Sequence, residues 1–421
     1  MHRNRCFVIS LVVSCAALVT GLCQPAAAAT LCVNPSGAKG CFPTIGAAVA
    51  AASAGDTIEV SQGTYKEDVV IGTQLALIGA NQNNTIIDAT GLSNGIYIDG
   101  LDNPGLSDVT VTGFTVENAN FEGILVTNAS FVTVWDNEVT HNDRSLNPAT
   151  GTCPGLPPFE TAEGFDCGEG IHLVGVDHST VARNTVENNS GGILLSDETS
   201  PTDNNLITGN VVRNNPFDCG IVLASHPPAS GSGSPLGVFR NTIAGNDSSH
   251  NGLGVHGAGA GVGIFTFLPD GTVARNVIVN NRLTGNGLPG VAMHAHIAGE
   301  NLNDNVITGN YISGNGADTD DAATPGPTGI NVFGVSSISG TIISGNVIKD
   351  EADDIVANTP APVDAHLNNL LGKQIGVNNL GAGTVDATEN WWGCSGGPGA
   401  EGCAGVAGSG VVSTPWLTKP F

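Results

Sequence analysis

The chain has 421 residues, of which 38 are acidic and 13 basic, and its formal net charge at pH 7 is −25. This excess of carboxylates argues against nucleic acid and anionic membranes as partners, because both would be repelled. The chain also has 59 glycines and an aromatic content of only 5%, and both values are typical of a chain dominated by turns.

The first 29 residues have the parts of a secretory signal peptide. Two arginines precede an apolar core over 7–22, and Pro25–Ala29 has the small residues of a cleavage zone. Cleavage removes two of the 13 basic residues and none of the 38 acidic ones, which leaves a formal charge of −27. We therefore expect a secreted or periplasmic protein, with lipoprotein processing at Cys15 as the alternative. No later stretch has the roughly 18 unbroken apolar residues of a membrane span.

Residues 30–56 are predicted to form an N-terminal cap. Ile45 and Val49 have helical spacing, and Thr44 is placed to cap a short amphipathic helix over 42–52. Such a lid is needed because an open solenoid end exposes apolar side chains and unpaired strand edges.

Two short phrases alternate through the middle of the chain. One is an Asn-x-Val/Ile unit that recurs at Asn137, Asn184, Asn210, Asn241, Asn276, Asn310 and Asn346. The other is a glycine followed by alternating apolar residues, as at Gly123, Gly170, Gly192 and Gly220. Neither unit can bury its apolar face alone, whereas stacked parallel coils can. The pattern predicts an all-β parallel β-helix of about 12 coils over 57–385, with asparagines stacked in ladders at the corners.

Ten cysteines are present, and seven remain after signal cleavage. Their spacing predicts three local disulfides, Cys32–Cys41, Cys153–Cys167 and Cys394–Cys403, and leaves Cys219 outside the pairs. No compact metal-site spacing occurs, so disulfides in an oxidising compartment are favoured over zinc.

Long insertions leave the repeat from one corner, and the longest spans 141–168. Loops stacked on one edge form the wall of a cleft, so we place the candidate site on the outward face of the neighbouring Gly-led strands. We expect this face to be exposed to solvent. The candidate substrate contacts on it are His172, Phe265, Phe267, Asn331 and Phe333. The candidate acid and base residues are Asp197, Glu198, His226, His294 and His296.

Two further features allow metal chemistry. His294 and His296 lie two apart on one strand face, which is chelating geometry. The acidic run Asp318–Asp321 could bind Ca²⁺, with a solvated loop as the alternative. We assign no metal ligands and no certain cofactor, and we leave open whether Ca²⁺ is a cofactor.

The C-terminal residues 386–421 contain Asn390-Trp-Trp-Gly393 and Pro415-Trp-Leu417. We expect a C-terminal cap whose tryptophans cover the last coil; sugar stacking by these rings is the alternative. This segment and the opening "AGDTIEV" and "GTYKEDVVI" resemble secreted right-handed β-helix proteins of the pectate-lyase-like superfamily. The Asn and Gly repeats resemble NosD-type β-helix proteins of the same group. The resemblance implies a right-handed parallel β-helix, but that superfamily has many functions.

Three functions follow from these observations. The first is an exported, monomeric protein that binds polysaccharide or a cell-surface glycan along one sheet face and cleaves it as a lyase or hydrolase. The second is a non-catalytic extracellular scaffold or adhesin. The third is NosD-like copper handling. The sequence matches neither the polygalacturonase acid motifs, the pectate-lyase arginine signature nor the epimerase motif, so the resemblance alone assigns no activity.

Overall fold

The computed structural model describes residues 28–160, 165, 167–226, 236–255, 258–266, 268–335 and 338–421. Nearly all of the predicted signal peptide, 1–29, therefore lies outside the described residues. Within the described ranges the chain winds as a solenoid whose coils each add one strand to two or three long parallel sheets. None of the described helices has the length and apolar composition needed to cross a membrane.

The three long sheets and one short one are built as follows from the described residues. The 14-stranded sheet contains Thr30–Val33, Asp56–Val60, Leu75–Gly79, Thr110–Thr112, Thr133–Trp135, Thr180–Ala182, Leu206–Thr208, Thr242–Ala244, Val277–Val279, Val306–Thr308, Ile342–Ser344, Val363–His366, Val385–Asp386 and Val411–Val412. The 12-stranded sheet contains Val69–Ile71, Ile96–Asp99, Ile124–Thr127, Ile171–Val174, Ile193–Ser196, Ile221–Ser225, Val262–Thr266, Val291–Ala295, Thr328–Gly334, Asp353–Asn358, Ile375–Asn379 and Gly405–Gly408. The 11-stranded sheet contains Gly63–Tyr65, Thr85–Asp88, Thr115–Glu117, Glu138–Thr140, Thr185–Glu187, Val211–Arg213, Asp247–Ser249, Arg282–Thr284, Tyr311–Ser313, Val347–Lys349 and Asn369–Leu371. The short sheet contains Thr202–Asp203, Val238–Phe239 and Val273–Ala274.

Equivalent positions of successive coils stack on one another. In the 12-stranded sheet, Ile124 pairs with Ile171, Ile171 with Ile193, and Ile193 with Ile221. Each of these isoleucines points into the rod and is fully buried. The repeat therefore creates one continuous core of β-branched and leucine side chains, and strand pairing is parallel throughout the described sheets because every coil turns the same way.

The N-terminal helix spans Ile45–Ala51, and Thr44 caps it as expected, accepting a hydrogen bond from the Ala47 N–H at 3.2 Å. The helix begins three residues later than predicted, directly after its cap. The Glu67 carboxylate accepts hydrogen bonds from the Ile45 and Gly46 N–H groups, each at 2.8 Å, where the helix dipole favours an anion. The predicted cap also carries a strand of the solenoid, because Thr30–Val33 already pairs with Asp56–Val60.

Buried asparagines form three ladders at the corners of the described coils. The first ladder consists of Asn137, Asn184, Asn210, Asn246, Asn281, Asn310, Asn346, Asn368 and Asn390. The second consists of Asn142, Asn189, Asn215, Asn251, Asn286 and Asn315. The third consists of Asn205, Asn241, Asn276 and Asn305. The predicted ladders are confirmed.

An asparagine in the interior of a ladder joins three coils through its amide. The Asn246 Oδ1 accepts from the backbone N–H and the Nδ2 of Asn210, both at 2.9 Å, and its Nδ2 donates to the Ile207 carbonyl at 2.9 Å and to the Asn281 Oδ1 at 3.0 Å. Backbone groups at the corners, where the strand ladders stop, thus find partners inside the rod. The sequence alignment of the repeats is wrong at Asn241 and Asn276, which belong to the third ladder and not to the first.

The second ladder ends on a carboxyl group. Glu351 is fully buried and accepts hydrogen bonds from the Asn315 backbone N–H and Nδ2. Burial raises the pKa of Glu351 to about 7, although those hydrogen bonds oppose the rise.

The three predicted disulfides, Cys32–Cys41, Cys153–Cys167 and Cys394–Cys403, are present. Each closes a short loop at a terminus or in the longest insertion. Cys219 is buried, and its sulfur accepts a hydrogen bond from the Ala260 N–H at 3.2 Å. At the C-terminal end Trp392 is fully buried in the core and Trp416 packs against it, consistent with their predicted role as a cap.

Replacing Asn246 by alanine should destabilise the rod strongly. The change leaves the Asn210 N–H and the Ile207 carbonyl buried without their partner, and each such group costs about 1–3 kcal/mol. We expect a clear fall in the midpoint of thermal unfolding followed by circular dichroism. The matched control is Asn83→Ala at an exposed turn, for which we expect almost no change. An equal, small effect of both variants would contradict the structural role of the ladders.

Candidate functional site

The outward face of the 12-stranded sheet is covered, so the prediction that it faces solvent is wrong. His172 and His294 are each 2% exposed, Phe333 is 6% exposed and Asn331 is fully buried. The insertions fold over these positions: Phe165 stacks on Phe217 at 5.9 Å between ring centroids. Phe267, another predicted substrate contact, lies outside the described residues.

Part of the cover is a second, smaller hydrophobic core outside the rod. We call it the outer apolar cluster; its buried members are Leu194, Cys219, Val222, Ala224, Ala260, Leu288 and Ala292. Phe265 is half-buried and packs against it. The predicted platform for sugar rings is therefore in large part packing between the sheet and its insertions.

The outer apolar cluster separates two groups of ionisable side chains. The first, here called the Glu/His group, consists of Glu122, Glu169, His172, Glu198 and His226. The second, called the His/Asp group, consists of His294, His296, Asp318, Asp320 and Asp321. The register places His226 two strands away from His296, so the four predicted acid and base residues Glu198, His226, His294 and His296 do not form one site.

Two stacked glutamates are the central feature of the Glu/His group. Glu122 and Glu169 each lie two residues before a paired isoleucine, Ile124 and Ile171, so the parallel register places one above the other. Carboxylate oxygens of both glutamates and a ring nitrogen of His172 lie within 4.8 Å of one another, and all three residues are buried. Two like charges at this distance and depth cannot both be held without a proton or a cation between them.

Glu198 and His226 complete the group. The Glu198 Oε1 is 2.7 Å from the His226 Nδ1, and the His172 Nε2 is 2.8 Å from the Ser196 Oγ. Glu198, His226 and His172 are at most 3% exposed. Because two histidines and three glutamates share this water-poor volume, their protonation states depend on one another.

The surroundings move the pKa values of these groups apart. Burial, reinforced by the charge of Glu198, raises the pKa of Glu122 to about 7, against hydrogen bonds that include one with the Glu160 side chain. Burial would also raise the pKa of Glu198, but His226 and His172 outweigh it and hold the value at about 2. Burial lowers the pKa of His172 to about 4. Near neutral pH the group therefore contains a protonatable carboxyl beside an ionised one.

The Asp197 carboxylate holds backbone groups in place through hydrogen bonds. Its carboxylate accepts hydrogen bonds from the His226 N–H at 2.7 Å, the Ser225 hydroxyl at 2.9 Å and the Gly237 N–H. These bonds tie the strand Ile221–Ser225 to the chain that follows the insertion. We therefore do not include Asp197 among the acid and base groups below.

The predicted substrate contacts Asn331 and Phe333 contact members of the His/Asp group. The Asn331 Nδ2 donates to the Asp318 Oδ2 at 3.2 Å, and the Phe333 ring lies 4.2 Å from the His294 ring. Both side chains hold neighbours in place.

A solvent-open groove lies on a different face, along the 14-stranded sheet. It has a volume of about 510 Å³ and is lined by Thr133, Trp135, Ala182, Arg183, Thr208 and Gly209. The Arg183 guanidinium lies 4.7 Å over the Trp135 ring and is held by Asp136 at 3.1 Å. The small Ala182 and Gly209 leave the groove open beside this aromatic plane.

Sequence reasoning missed Glu122 and Trp135, and it placed Glu169 only at the edge of the candidate face. A signal for Glu122 was present, because Glu-Gly precedes the apolar phrase in two successive coils, at Gly123 and Gly170. Trp135 gave no signal, since its open setting depends on the small residues of the two coils that follow.

Comparison with known proteins supports the architecture. Residues 76–265 match a family model described as "Right handed beta helix region". A search of curated protein sequences gives no match. The chain folds as a right-handed parallel β-helix.

Solved structures with this fold are similar to the chain at low sequence identity. DFA-IIIase from Arthrobacter chlorophenolicus A6 without its lid has a TM-score of 0.55 and 14% identity, over 86% of this chain and 89% of that one. The Dettilon tailspike protein has a TM-score of 0.54 and 13% identity, over 85% of this chain and 62% of that one. The catalytic unit of a GH87 α-1,3-glucanase from Streptomyces thermodiastaticus has a TM-score of 0.47 and 15% identity, over 94% and 70%. The likeness to the first two supports the fold.

The contact between Glu198 and His226 should stabilise the protein in a pH-dependent way. Replacing His226 by glutamine leaves the Glu198 charge buried and without its cationic partner, which typically costs about 3–5 kcal/mol. Because the folded-state pKa of Glu198, about 2, lies below its ordinary 4.5, this stabilisation is fully present above pH 4.5 and is lost as the pH falls towards 2.

Thermal unfolding of His226→Gln, Glu198→Gln and the double variant at several pH values measures the coupling. We expect the double variant to be less damaged than the sum of the single ones. The matched control is the exposed pair Arg213 and Glu187, whose side chains lie 2.6 Å apart; we expect its coupling to be below about 1 kcal/mol. Strict additivity at Glu198 and His226 would show that their contact contributes nothing.

Proposed function

We propose that this chain is an exported carbohydrate-active enzyme that hydrolyses glycosidic bonds at the Glu/His group. The observation that carries the proposal is the stacked pair Glu122 and Glu169, whose carboxylate oxygens lie within 4.8 Å. Glycoside hydrolysis requires two carboxyl groups, one on each side of the scissile bond. A short separation is typical of enzymes that retain the anomeric configuration, in which the second carboxylate acts as a nucleophile.

The raised pKa of Glu122 assigns the two roles. Because that pKa is about 7, the carboxyl group still holds a proton near neutral pH and can donate it to the departing glycosidic oxygen. Glu169 then attacks the anomeric carbon as its carboxylate, and water hydrolyses the covalent intermediate with Glu122 acting as the base. His172 and the pair of Glu198 and His226 lie beside these two groups, and the charge of Glu198 adds to the effect of burial on the pKa of Glu122.

The longest insertion controls access to this site. The side chain of Glu160, inside that insertion, and the backbone of Gly168, at its end, both interact with the Glu122 carboxyl. The Cys153–Cys167 disulfide closes the loop that contains Glu160. Substrate would therefore reach Glu122 only after the insertion shifts, and water would be excluded when it returns.

The solved structures are in keeping with this proposal at the level of substrate class. DFA-IIIase, a carbohydrate-acting enzyme, has the same fold and was solved in complex with GF2 and, as a mutant, in complex with DFA-III. For export, three disulfides in a chain of this acidity fit an oxidising compartment.

A second candidate function is glycan binding without cleavage, as in a scaffold or adhesin. The groove beside Trp135 favours it, because that groove is open whereas the Glu/His group is covered. An aromatic plane with an adjacent guanidinium is suited to stacking on a sugar ring while donating hydrogen bonds to its hydroxyls.

Glu122→Gln should abolish hydrolysis while leaving the fold intact, because glutamine keeps the shape of the side chain but carries no acidic proton. The mature protein is incubated with a panel of neutral and acidic glycans, and reducing and unsaturated ends are measured. We expect reducing ends from the wild type, a loss of about 10²–10⁴-fold in the variant, and a wild-type rate that falls as the pH rises through about 7.

The matched control is Glu138→Gln, a half-buried glutamate on the 11-stranded sheet, which should keep full activity. Detection of unsaturated ends would show that the protein cleaves by elimination and not by hydrolysis. Retention of a glycan without product, lost in Trp135→Ala, would establish the binding function in place of the enzyme. Absence of both product and binding for every glycan of the panel would contradict both proposed functions.

A further inference from the structure

We propose that His294, His296, Asp320 and Asp321 form a binding site for one divalent first-row transition-metal cation of the Zn²⁺ class. One nitrogen from each imidazole and one oxygen from each carboxylate lie within 4.8 Å of one another. The site stands apart from the Glu/His group, on the other side of the outer apolar cluster, and does not depend on the function proposed above.

The hydrogen bonds of the Nδ1 atoms of both imidazoles define which ring nitrogen is available to a metal ion. The His296 Nδ1 lies 2.9 Å from the Thr266 carbonyl oxygen, and the His294 Nδ1 lies 2.9 Å from the Asp318 Oδ2. A carbonyl oxygen and a carboxylate can only accept, so both Nδ1 atoms must carry hydrogen. In the neutral rings both Nε2 atoms therefore present a lone pair, and a carboxylate or carbonyl behind a histidine is the usual support of a metal ligand.

Both Nε2 atoms face carboxylates. The His294 Nε2 is buried, has no hydrogen-bond partner among the described residues and lies 3.7 Å from the Asp321 Oδ2. The His296 Nε2 lies 3.2 Å from the Asp320 Oδ2. A nitrogen lone pair that faces an anionic oxygen is repelled unless a cation lies between them. A metal ion in this space would bond to the nitrogens and the oxygens together.

The supporting residues hold the histidines and the loop in one arrangement. Asp318 is 2% exposed; its carboxylate also accepts from the Asn331 Nδ2 at 3.2 Å and from the Asp320 N–H at 3.1 Å. The two imidazole rings stack at 4.2 Å with an angle of 12° between their planes. Asp318 is thus shared between a metal-facing histidine and the loop that supplies the other two ligands.

The ligand types select the metal. Two imidazole nitrogens with two carboxylates suit Zn²⁺ and its first-row neighbours, whereas Ca²⁺ prefers a shell made only of oxygen. Ligand bonds to Zn²⁺ are about 2.0–2.2 Å long, so binding must draw the four atoms closer than they lie here. Asp320 and Asp321 are exposed and can make most of that movement.

Isothermal titration with Zn²⁺, and visible absorption with Co²⁺ as a coordination probe, test the site on metal-stripped mature protein at pH 7.5. We expect one ion per chain and, for Co²⁺, the spectrum of a four-coordinate site. The double variant Asp320→Asn, Asp321→Asn changes only exposed side chains, so it should fold normally. We expect its affinity for Zn²⁺ to be at least about 10-fold weaker, and that of His296→Ala weaker as well.

The matched control is His178→Ala, which removes an exposed histidine that lies 2.8 Å from Asp177 on another part of the rod; its affinity should equal that of the wild type. Glu169→Gln separates this site from the other group that contains a histidine and carboxylates. Loss of Zn²⁺ binding in Glu169→Gln alone would move the metal to the Glu/His group. Absence of stoichiometric binding, or equal competition by Ca²⁺, would overturn the proposal.

Discussion

Each coil of this rod must turn corners at which the strand ladders stop, and the backbone groups at those corners need partners inside an apolar core. Buried asparagines supply them, because one amide can accept from the coil on one side and donate to the other. The rest of the structure depends on this interaction. Without it, unpaired N–H and C=O groups would be buried at every corner, at a cost that hydrophobic stacking of short strands would not offset.

Fixed corners allow the chain to vary between them. Insertions of very different length leave the repeat without disturbing the register of the sheets, since the asparagines on either side remain stacked. The insertions then fold back over the 12-stranded sheet and bury its outer face. This creates a second core and, at its two sides, volumes that contain carboxylates and histidines with little water. Ionisable groups in such volumes acquire the shifted pKa values on which the proposed function rests. These volumes also bring together the imidazole nitrogens and carboxylate oxygens of the proposed metal site.

The regular part of the fold could be predicted from the sequence because it is encoded locally. The spacing of the repeats gives the coils and ladders, short cysteine spacings give the disulfides, and Thr44 gives the start of the helix. The register is harder: Asn241 opens a phrase like those of Asn184 and Asn210 but belongs to a different ladder. These coils contain the phrase twice in succession, as at Asn205 and Asn210 and again at Asn241 and Asn246, so a string comparison does not show which copy belongs to which ladder.

The candidate site could be predicted only in part. Glu198 meets His226, and both lie near His172, as their positions on neighbouring strands predicted. The pairing of Phe265 was wrong, because Phe265 stacks on Ala224 and not, as the repeat predicted, on Val222. The burial of Glu198, His226 and His172 was not foreseen, because irregular insertions have no periodicity that shows where they fold. Glu122 was missed for the opposite reason, because it immediately precedes a regular strand and was treated as part of the repeat. Asp197 was chosen by residue type, although the backbone donors that engage it become visible only in three dimensions.

The most direct test of the account is the anomeric configuration of the first product, followed by proton NMR from the start of hydrolysis of the glycan that the protein cleaves fastest. Because the carboxyl groups of Glu122 and Glu169 are stacked so closely, we predict that the configuration of the cleaved bond is retained. An inverted product would require a water molecule between two widely separated carboxyl groups. That result would contradict the assignment of this pair as the catalytic centre.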